Sequence, residues 1–248
     1  MIRIAAVGDV HVGLDSAGTL RPHLEHLSER ADALLLAGDL TRVGRPEEAR
    51  VLAGELADVT VPKIAVLGNH DYESGRASEV REELERADVR VLEGESEVVA
   101  VNGSTLGVAG VKGFGGGFVG ACGSDFGEPE MKAFIRHTKG VAEALEGALS
   151  DVEADLVVAL MHYAPVEETL QGERLEIFPF LGSYLLAEAA DRAGADLVLH
   201  GHAHHGQERG VTAGGIRVRN VAQPVIQQAY RLYCFGDQDG EVSCTDPA

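Results

Sequence analysis

Five short polar motifs, each sitting at the end of an apolar run, constrain this chain more than its composition does: Asp9-Val10-His11, Gly38-Asp39, Gly68-Asn69-His70-Asp71, His162 and Gly201-His202-Ala203-His204. The runs leading into them are Ile2–Val7, Ala33–Ala37 and residues 63–67, 155–161 and 196–199, apolar stretches bounded by glycine or polar residues. Such stretches are the mark of strands buried in a sheet. In open α/β sheets, ligands gather outside the carboxyl ends of the strands, so residues far apart in sequence converge there. The spacing therefore predicts one site rather than five, holding His, Asp and Asn side chains of the kind that ligate metals.

The first ninety residues alternate strand and helix signals, with helices expected over residues 21–30, 46–57 and 77–87. Pro46 followed by Glu47 and Glu48 suits a helix first turn, because proline lacks the amide that is unpaired there and carboxylates favour the positive end of the helix. These are βαβ units with parallel strands. Residues 89–92, 97–101 and 105–111 then form strand-like runs separated by short turns, which predicts a second sheet or an antiparallel edge. After a glycine-rich stretch over 112–127, helices are expected over 129–149 and 181–192, and strands over 216–221, 229–235 and 241–245. The order fits an α/β fold, a four-layer α-β-β-α sandwich of two mixed β-sheets flanked by helices, with the metal site at the C-terminal strand ends. No linker or repeat divides the chain, so residues 1–248 are expected to form a single domain.

Composition narrows the function. A formal charge of −19 creates a field that repels polyanions, and no Lys/Arg run is present, so nucleic acid is not expected as the main partner. A local cationic spot such as a metal pair still attracts one phosphate group, because the diffuse field is screened over roughly 8 Å at physiological salt. Small phosphorylated substrates fit this balance. Cys122, Cys234 and Cys244 are odd in number and lack CxxC spacing, so they are expected to be reduced. No apolar run approaches the about 18 residues that cross a bilayer, which predicts a cytoplasmic protein without a membrane partner.

In order and spacing the five motifs resemble the calcineurin-like metallophosphoesterase superfamily, whose pattern runs D-x-H, G-D, G-N-H-[DE], H, G-H-x-H. The resemblance extends from Asp9 to His204 with no ligand position missing. It implies that Asp9, His11 and His204 bind one metal, that Asn69, His162 and His202 bind a second, and that Asp39 bridges both. It further implies hydrolysis of a phosphate mono- or diester by a metal-bound hydroxide, with His70 as general acid and Asp71 orienting His70 and raising its pKa. Nitrogen and oxygen donors of this kind suit Mn²⁺, Fe²⁺/Fe³⁺, Zn²⁺ or Co²⁺, whereas Mg²⁺ or Ca²⁺ favour all-oxygen sets. Two such ions roughly 3.5–4 Å apart hold phosphoryl oxygens and align in-line attack.

Two alternatives stand beside this reading: a phosphoprotein phosphatase, and a non-enzymatic binding scaffold that keeps the fold. Cyclic-nucleotide hydrolysis is a further candidate, although Thr41-Arg42 departs from the Thr-Asp such enzymes carry. Taken singly, Gly-Asp after a strand is an ordinary turn with a helix cap, and only the ordered set makes a site. His23, His26, His137, His200 and His205 take solvated or hydrogen-bonded roles. Gly115-x-Gly117-x-x-Gly120 matches a dinucleotide fingerprint in form only, since no helix opens after it. A mobile lid or substrate loop is the better expectation for 112–127. Arg42 and Tyr163 are each as well placed to reach a substrate as to be plain loop residues. The stretch 175–181 is open to three roles, pocket wall, core, or contact with a second copy in a homo-oligomer, with core favoured.

Overall fold

The computed structural model describes residues 1–236, 240–242 and 244. Strand β1 (Ile2–Val7) turns Ala5 and Val7 to one side and Ile4 and Ala6 to the other, and β2 (Ala33–Ala37) divides Leu34 and Leu36 from Leu35 and Ala37 in the same way. Side chains alternate along a strand, so a run that is apolar throughout requires cover on both faces. Both strands receive it. With β3 (Lys63–Val66) and β4 (Val89–Val91) they form a parallel set.

A second set starts with β5 (Glu95–Val101), antiparallel to β6 (Ser104–Val111). A small hairpin of β7 (Gly117–Phe118) and β8 (Ala121–Cys122) follows. Then come β9 (Leu156–Met161), β10 (Leu197–His200), β11 (Arg209–Val211) and β12 (Arg217–Asn220), with β6, β9, β10 and β12 parallel and β11 antiparallel on the edge. The chain returns to the first sheet through β13 (Arg231–Gly236) and β14 (Gly240–Val242), both in antiparallel pairs. The strand orders are β14-β13-β1-β2-β3-β4 and β11-β12-β10-β9-β6-β5.

Between the two sheets lie Ile4, Leu35, Ile64 and Val66 against Leu106, Val108, Val158 and Leu199. Outside the first sheet, helices Pro46–Glu55 and Ala77–Arg86 supply Ala49, Leu52, Val80 and Leu84. Outside the second, helices Pro129–Ser150 and Tyr184–Ala193 supply Ala142, Leu145, Leu186 and Ala190. Each fully buried Leu or Ile contributes about 1.5–3 kcal/mol relative to exposure. The four expected layers are therefore present, and the polar motifs all follow the carboxyl ends of parallel strands.

Three expectations need correction. Residues 21–30 form two four-residue turns, Arg21–Leu24 and Leu27–Arg30, because His26 between them is non-helical. The amides of Leu20 and Arg21 donate to the distant Glu55 carboxylate at 2.7 and 2.8 Å, a cap that local sequence cannot reveal. The cysteines are not all reduced: β14 folds back so that Cys234 pairs in register with Val242, and Cys234 and Cys244 form a disulfide, leaving Cys122 free and exposed. Finally, the stretch 175–181 is not core, since Leu175 and Phe180 are exposed and only Phe178 and Leu181 pack partly beneath.

Boundaries elsewhere shift by a few residues. The strand expected over 241–245 is present as Gly240–Val242, and positions 243 and 245 lie outside the described residues. The glycine-rich stretch divides in two: Phe118 is buried against Ala164, Leu170 and Ala203, while Val119 and Phe126 are exposed. Among the described residues no helix is long and apolar enough to cross a membrane.

Candidate metal centre

Register aligns the motif loops. Val7 lies opposite Leu36, Ala37 opposite Val66, Val111 opposite Met161, and Leu199 opposite Leu160, so Asp9, Asp39, Asn69, His162 and His202 leave the two sheets at one level. The turns are strained: Asp9, His11, Asp39 and His202 have φ of 57°, 44°, 50° and 69°. A non-glycine residue in such a conformation costs about 1–3 kcal/mol and persists only where its surroundings enforce it. Two glycines permit the close packing. A Cβ on Gly68 would lie 2.1 Å from Asp39 Oδ1, and one on Gly201 would lie 2.2 Å from Asp9 Oδ2.

Three groups of donor atoms result, Asp9–His11–His204, His11–Asp39–His70 and Asp39–His162–His202, each with its atoms within 4.8 Å of one another. His204 Nε2 is 2.8 Å from Asp9 Oδ1, and the His202 amide donates to the Asp9 carboxylate at 3.0 Å. That hydrogen bond to Asp9 holds His204 above the ordinary histidine range. His11 Nε2 is 3.9 Å from Asp39 Oδ2, and burial lowers its pKa. Burial likewise pushes His202 down to about 3, with the neighbouring His162 adding to the effect.

His162 is the most informative ring. Its Nδ1 donates to the Ala37 carbonyl at 2.9 Å, so Nε2 faces Asn69 Oδ1 at 3.0 Å and Asp39 Oδ1 at 3.3 Å. A neutral ring with Nδ1 protonated therefore aims a lone pair toward Asn69 Oδ1 and Asp39 Oδ1, an arrangement that suits a cation among them. Burial opposes the charged ring, but Asp39 outweighs it and pushes His162 up to about 9. Asp39 itself is held well below the carboxylate range, burial being outweighed by His162 and by the His70 amide, which donates to Oδ1 at 2.8 Å.

The expected pairing of Asp71 with His70 is not found. Asp71 is fully buried, and its carboxylate accepts from the amides of Leu40, Thr41 and Gly68 and from the Thr41 hydroxyl at 2.6 Å. Burial pushes the Asp71 acid upward, against the effect of these donors. It clamps the Gly38-Asp39 turn to the Gly68-Asn69 turn. The partner of His70 is instead the Arg42 carbonyl, which accepts from Nδ1 at 2.8 Å and leaves Nε2 directed at the site, 4.0 Å from Asp39 Oδ2. Adjacency in sequence suggested the first pairing, whereas the 3₁₀ turn His70–Tyr72 sends the two side chains in different directions.

On the rim, Tyr163 is a wall residue with its ring centroid 4.3 Å from that of His202. Burial pushes its hydroxyl up to about 12. The Arg42 guanidinium turns away to Asp15 at 2.8 Å. Neither Lys112 nor Phe114 stood out in sequence, yet both border this wall. One signal was available: Lys112 follows β6 as His162 follows its register partner β9. His200 is buried between the Gly201 carbonyl and Thr169, and His205 is exposed.

Two mixed sheets between helix layers, with Asp, Asn and His side chains converging at the strand ends, define a metallophosphoesterase architecture. The chain belongs to the calcineurin-like phosphoesterase family, whose model matches residues 2–206. Its fold is similar to that of phosphopantetheinyl hydrolase from Mycobacterium tuberculosis, at 16% identity and TM-score 0.65, over 92% of this chain and 94% of that one. A putative 5′-nucleotidase from Staphylococcus aureus is similar at 16% identity and TM-score 0.57, over 97% of this chain but 52% of that one. GAP50, the anchor in the inner membrane complex of Plasmodium, aligns at 13% identity and TM-score 0.52, over 90% of this chain and 72% of that one. No curated protein is significantly similar in sequence.

Proposed function

We propose that the protein hydrolyses a small phosphate mono- or diester with the help of two divalent transition-metal ions. The observation that carries this reading is the sharing of Asp39: its carboxylate belongs to two of the three donor groups, and His11 joins the third to them. The donor set fits the metals, because the His162 lone pair, Asn69 Oδ1 and Asp39 Oδ1 face one another and suit a cation. Asp9, His11 and His204 would hold one ion, Asn69, His162 and His202 the other, with Asp39 common to both. When bound, the ions supply Lewis-acid polarisation of the phosphoryl group and a water of lowered pKa.

The chain's own contribution is orientation and proton transfer. The Ala37 carbonyl fixes the His162 tautomer, as a backbone partner does for a ligand imidazole. The Asp9 and Asp71 carboxylates tie the His202 turn and the Gly38 and Gly68 turns in place. His70, fixed at Nδ1 by the Arg42 carbonyl, presents Nε2 to the cleft and in its charged form delivers a proton to the departing oxygen. A non-enzymatic role is the second reading, supported by the likeness to the Plasmodium anchor; the full donor set speaks for the enzyme.

The test is hydrolysis of an aryl phosphate and an aryl phosphodiester by chelated protein before and after Mn²⁺ is restored. Metal-dependent turnover of at least one is expected. No turnover with Mn²⁺, Zn²⁺, Co²⁺ or Fe²⁺ would sink the enzyme reading and leave the scaffold.

A further inference from the structure

Lys112 is the first residue after β6, and its carbonyl accepts from the amides of His162 and Tyr163 at 3.0 and 3.1 Å, so it stands on the same strand-end rim as the metal-type ligands. Its side chain is enclosed by aromatic rings. Nζ is 4.9 Å from the centroid of Phe114, 5.1 Å from Tyr163 and 5.3 Å from Tyr72. Tyr72 comes one residue after Asp71, and Tyr163 packs on His202, so the cage is continuous with the centre.

The ammonium is under-used. Among the described residues its one hydrogen bond is to the Gly113 carbonyl at 3.1 Å, and no carboxylate lies at ion-pair distance from it. An ammonium offers three donors, so two remain. Glu93 is occupied with the Lys112 amide and with the Tyr72 hydroxyl, which donates to it at 3.3 Å. Burial depresses the Lys112 pKa, while Glu93 and Asp39 act to keep the charge, which places the group within the field of the centre. Arg42, the other cation beside the cleft, is already neutralised by Asp15. In a chain of net charge −19, a half-buried lysine held by ring faces and left without an acid is a poor stabilising device and a good anion reader.

We propose that Lys112, caged by Tyr72, Phe114 and Tyr163, binds a second anionic group in the non-reacting part of the substrate, whose flat or apolar body lies against the same rings. This rests on the phosphoesterase reading for the position of the reacting group. It makes the preferred substrate a phosphate ester with a further phosphate or carboxylate, and it makes Lys112 a specificity residue rather than a member of the metal set.

The test compares adenosine diphosphate with adenosine monophosphate as binding probes, followed by the fluorescence of the tyrosines, in a chain that has no tryptophan. Full-length wild type, Lys112→Met and Lys112→Arg are titrated after chelation and again with Mn²⁺. Wild type is expected to prefer the diphosphate by at least about tenfold, the worth of one charged hydrogen bond. Lys112→Met loses that preference while its thermal transition and affinity for the monophosphate stay near wild type, and Lys112→Arg keeps part of it. Equal binding of the two probes by wild type, an unchanged preference in Lys112→Met, or no saturable binding at all overturns the proposal.

Aryl phosphate turnover measured in parallel separates the two readings. Turnover without a Lys112-dependent preference defeats this inference alone. A Lys112-dependent preference without turnover defeats the hydrolase and leaves the anion site.

Discussion

At the floor of the cleft Asp9, Asp39 and His162 are 2%, 1% and 0% exposed, whereas in the loop segments after β6 and β9 Val119, Leu175 and Phe180 are 81%, 75% and 62% exposed. The floor is made of turns that hold one another. Asp71 joins two of them, the Asp9 carboxylate receives the His202 amide from 193 residues away, and four non-glycine residues are kept at positive φ. These segments are short helical turns and a hairpin of two-residue strands, joined by backbone bonds such as those from the amides of Gly116 and Gly117 to the Pro179 and Gly182 carbonyls rather than by buried carboxylates. A chemical centre needs fixed geometry, because misplacement by about an ångström costs on the order of a hundredfold in rate. Such exposed side chains can vary without touching that geometry.

The contrast can be broken by mutation, and the largest effect is expected at His70. His70→Ala should lower the rate for substrates with poor leaving groups by about 10²–10⁴-fold and that for an activated aryl ester much less. A plot of rate against leaving-group pKa measures this, and a uniform loss would make His70 a positioning residue. Gly201→Ala comes next, because its Cβ would meet Asp9 Oδ2 at 2.2 Å. A loss of about a hundredfold in kcat/KM with a modest change in melting temperature is expected. Near wild-type turnover would mean that the floor is softer than its contacts imply.

Smaller effects sharpen the comparison with parts of the molecule away from the cleft. Asp32 resists burial by its bonds to Arg3, at 2.7 Å in the closest pair, and its pKa is lowered on folding. A depressed acid stabilises above its unfolded pKa of about 3.9 and loses that contribution as the pH falls through the folded value. Asp32→Asn should therefore cost about 1 kcal/mol at pH 7 by denaturant titration, and the difference from wild type should vanish in strong acid. Phe180→Ser, in the loop segment after β9, should change stability by no more than about 0.5 kcal/mol. A loss of several kcal/mol would restore the stretch 175–181 to the core.

What sequence could reveal follows the same division. Continuous apolar runs in β1, β2, β3, β9 and β10 required sheets covered on both faces, and the order of turns between them foretold two sheets and the convergence of their ends. Each motif residue lies within a few positions of its strand, so local pattern carried it. The contacts that remained hidden join residues with no local relation: Glu55 with Leu20, Cys234 with Cys244, His70 with the Arg42 carbonyl. Asp71 adjoins His70 in sequence, but the 3₁₀ turn His70–Tyr72 separates their side chains in space. Lys112 went unremarked because a single lysine has no pattern, and only the aromatic rings brought to it by three segments give it a function.

The central claim is that two cations share Asp39, and calorimetric titration of Mn²⁺ into chelated protein tests it most directly. Two equivalents are expected in wild type, bound more tightly as the pH rises because a proton on His162 competes with the metal, with fewer than two equivalents in Asp39→Asn. Uptake of one equivalent or none by the wild type, or two by Asp39→Asn with unchanged affinity, would contradict it.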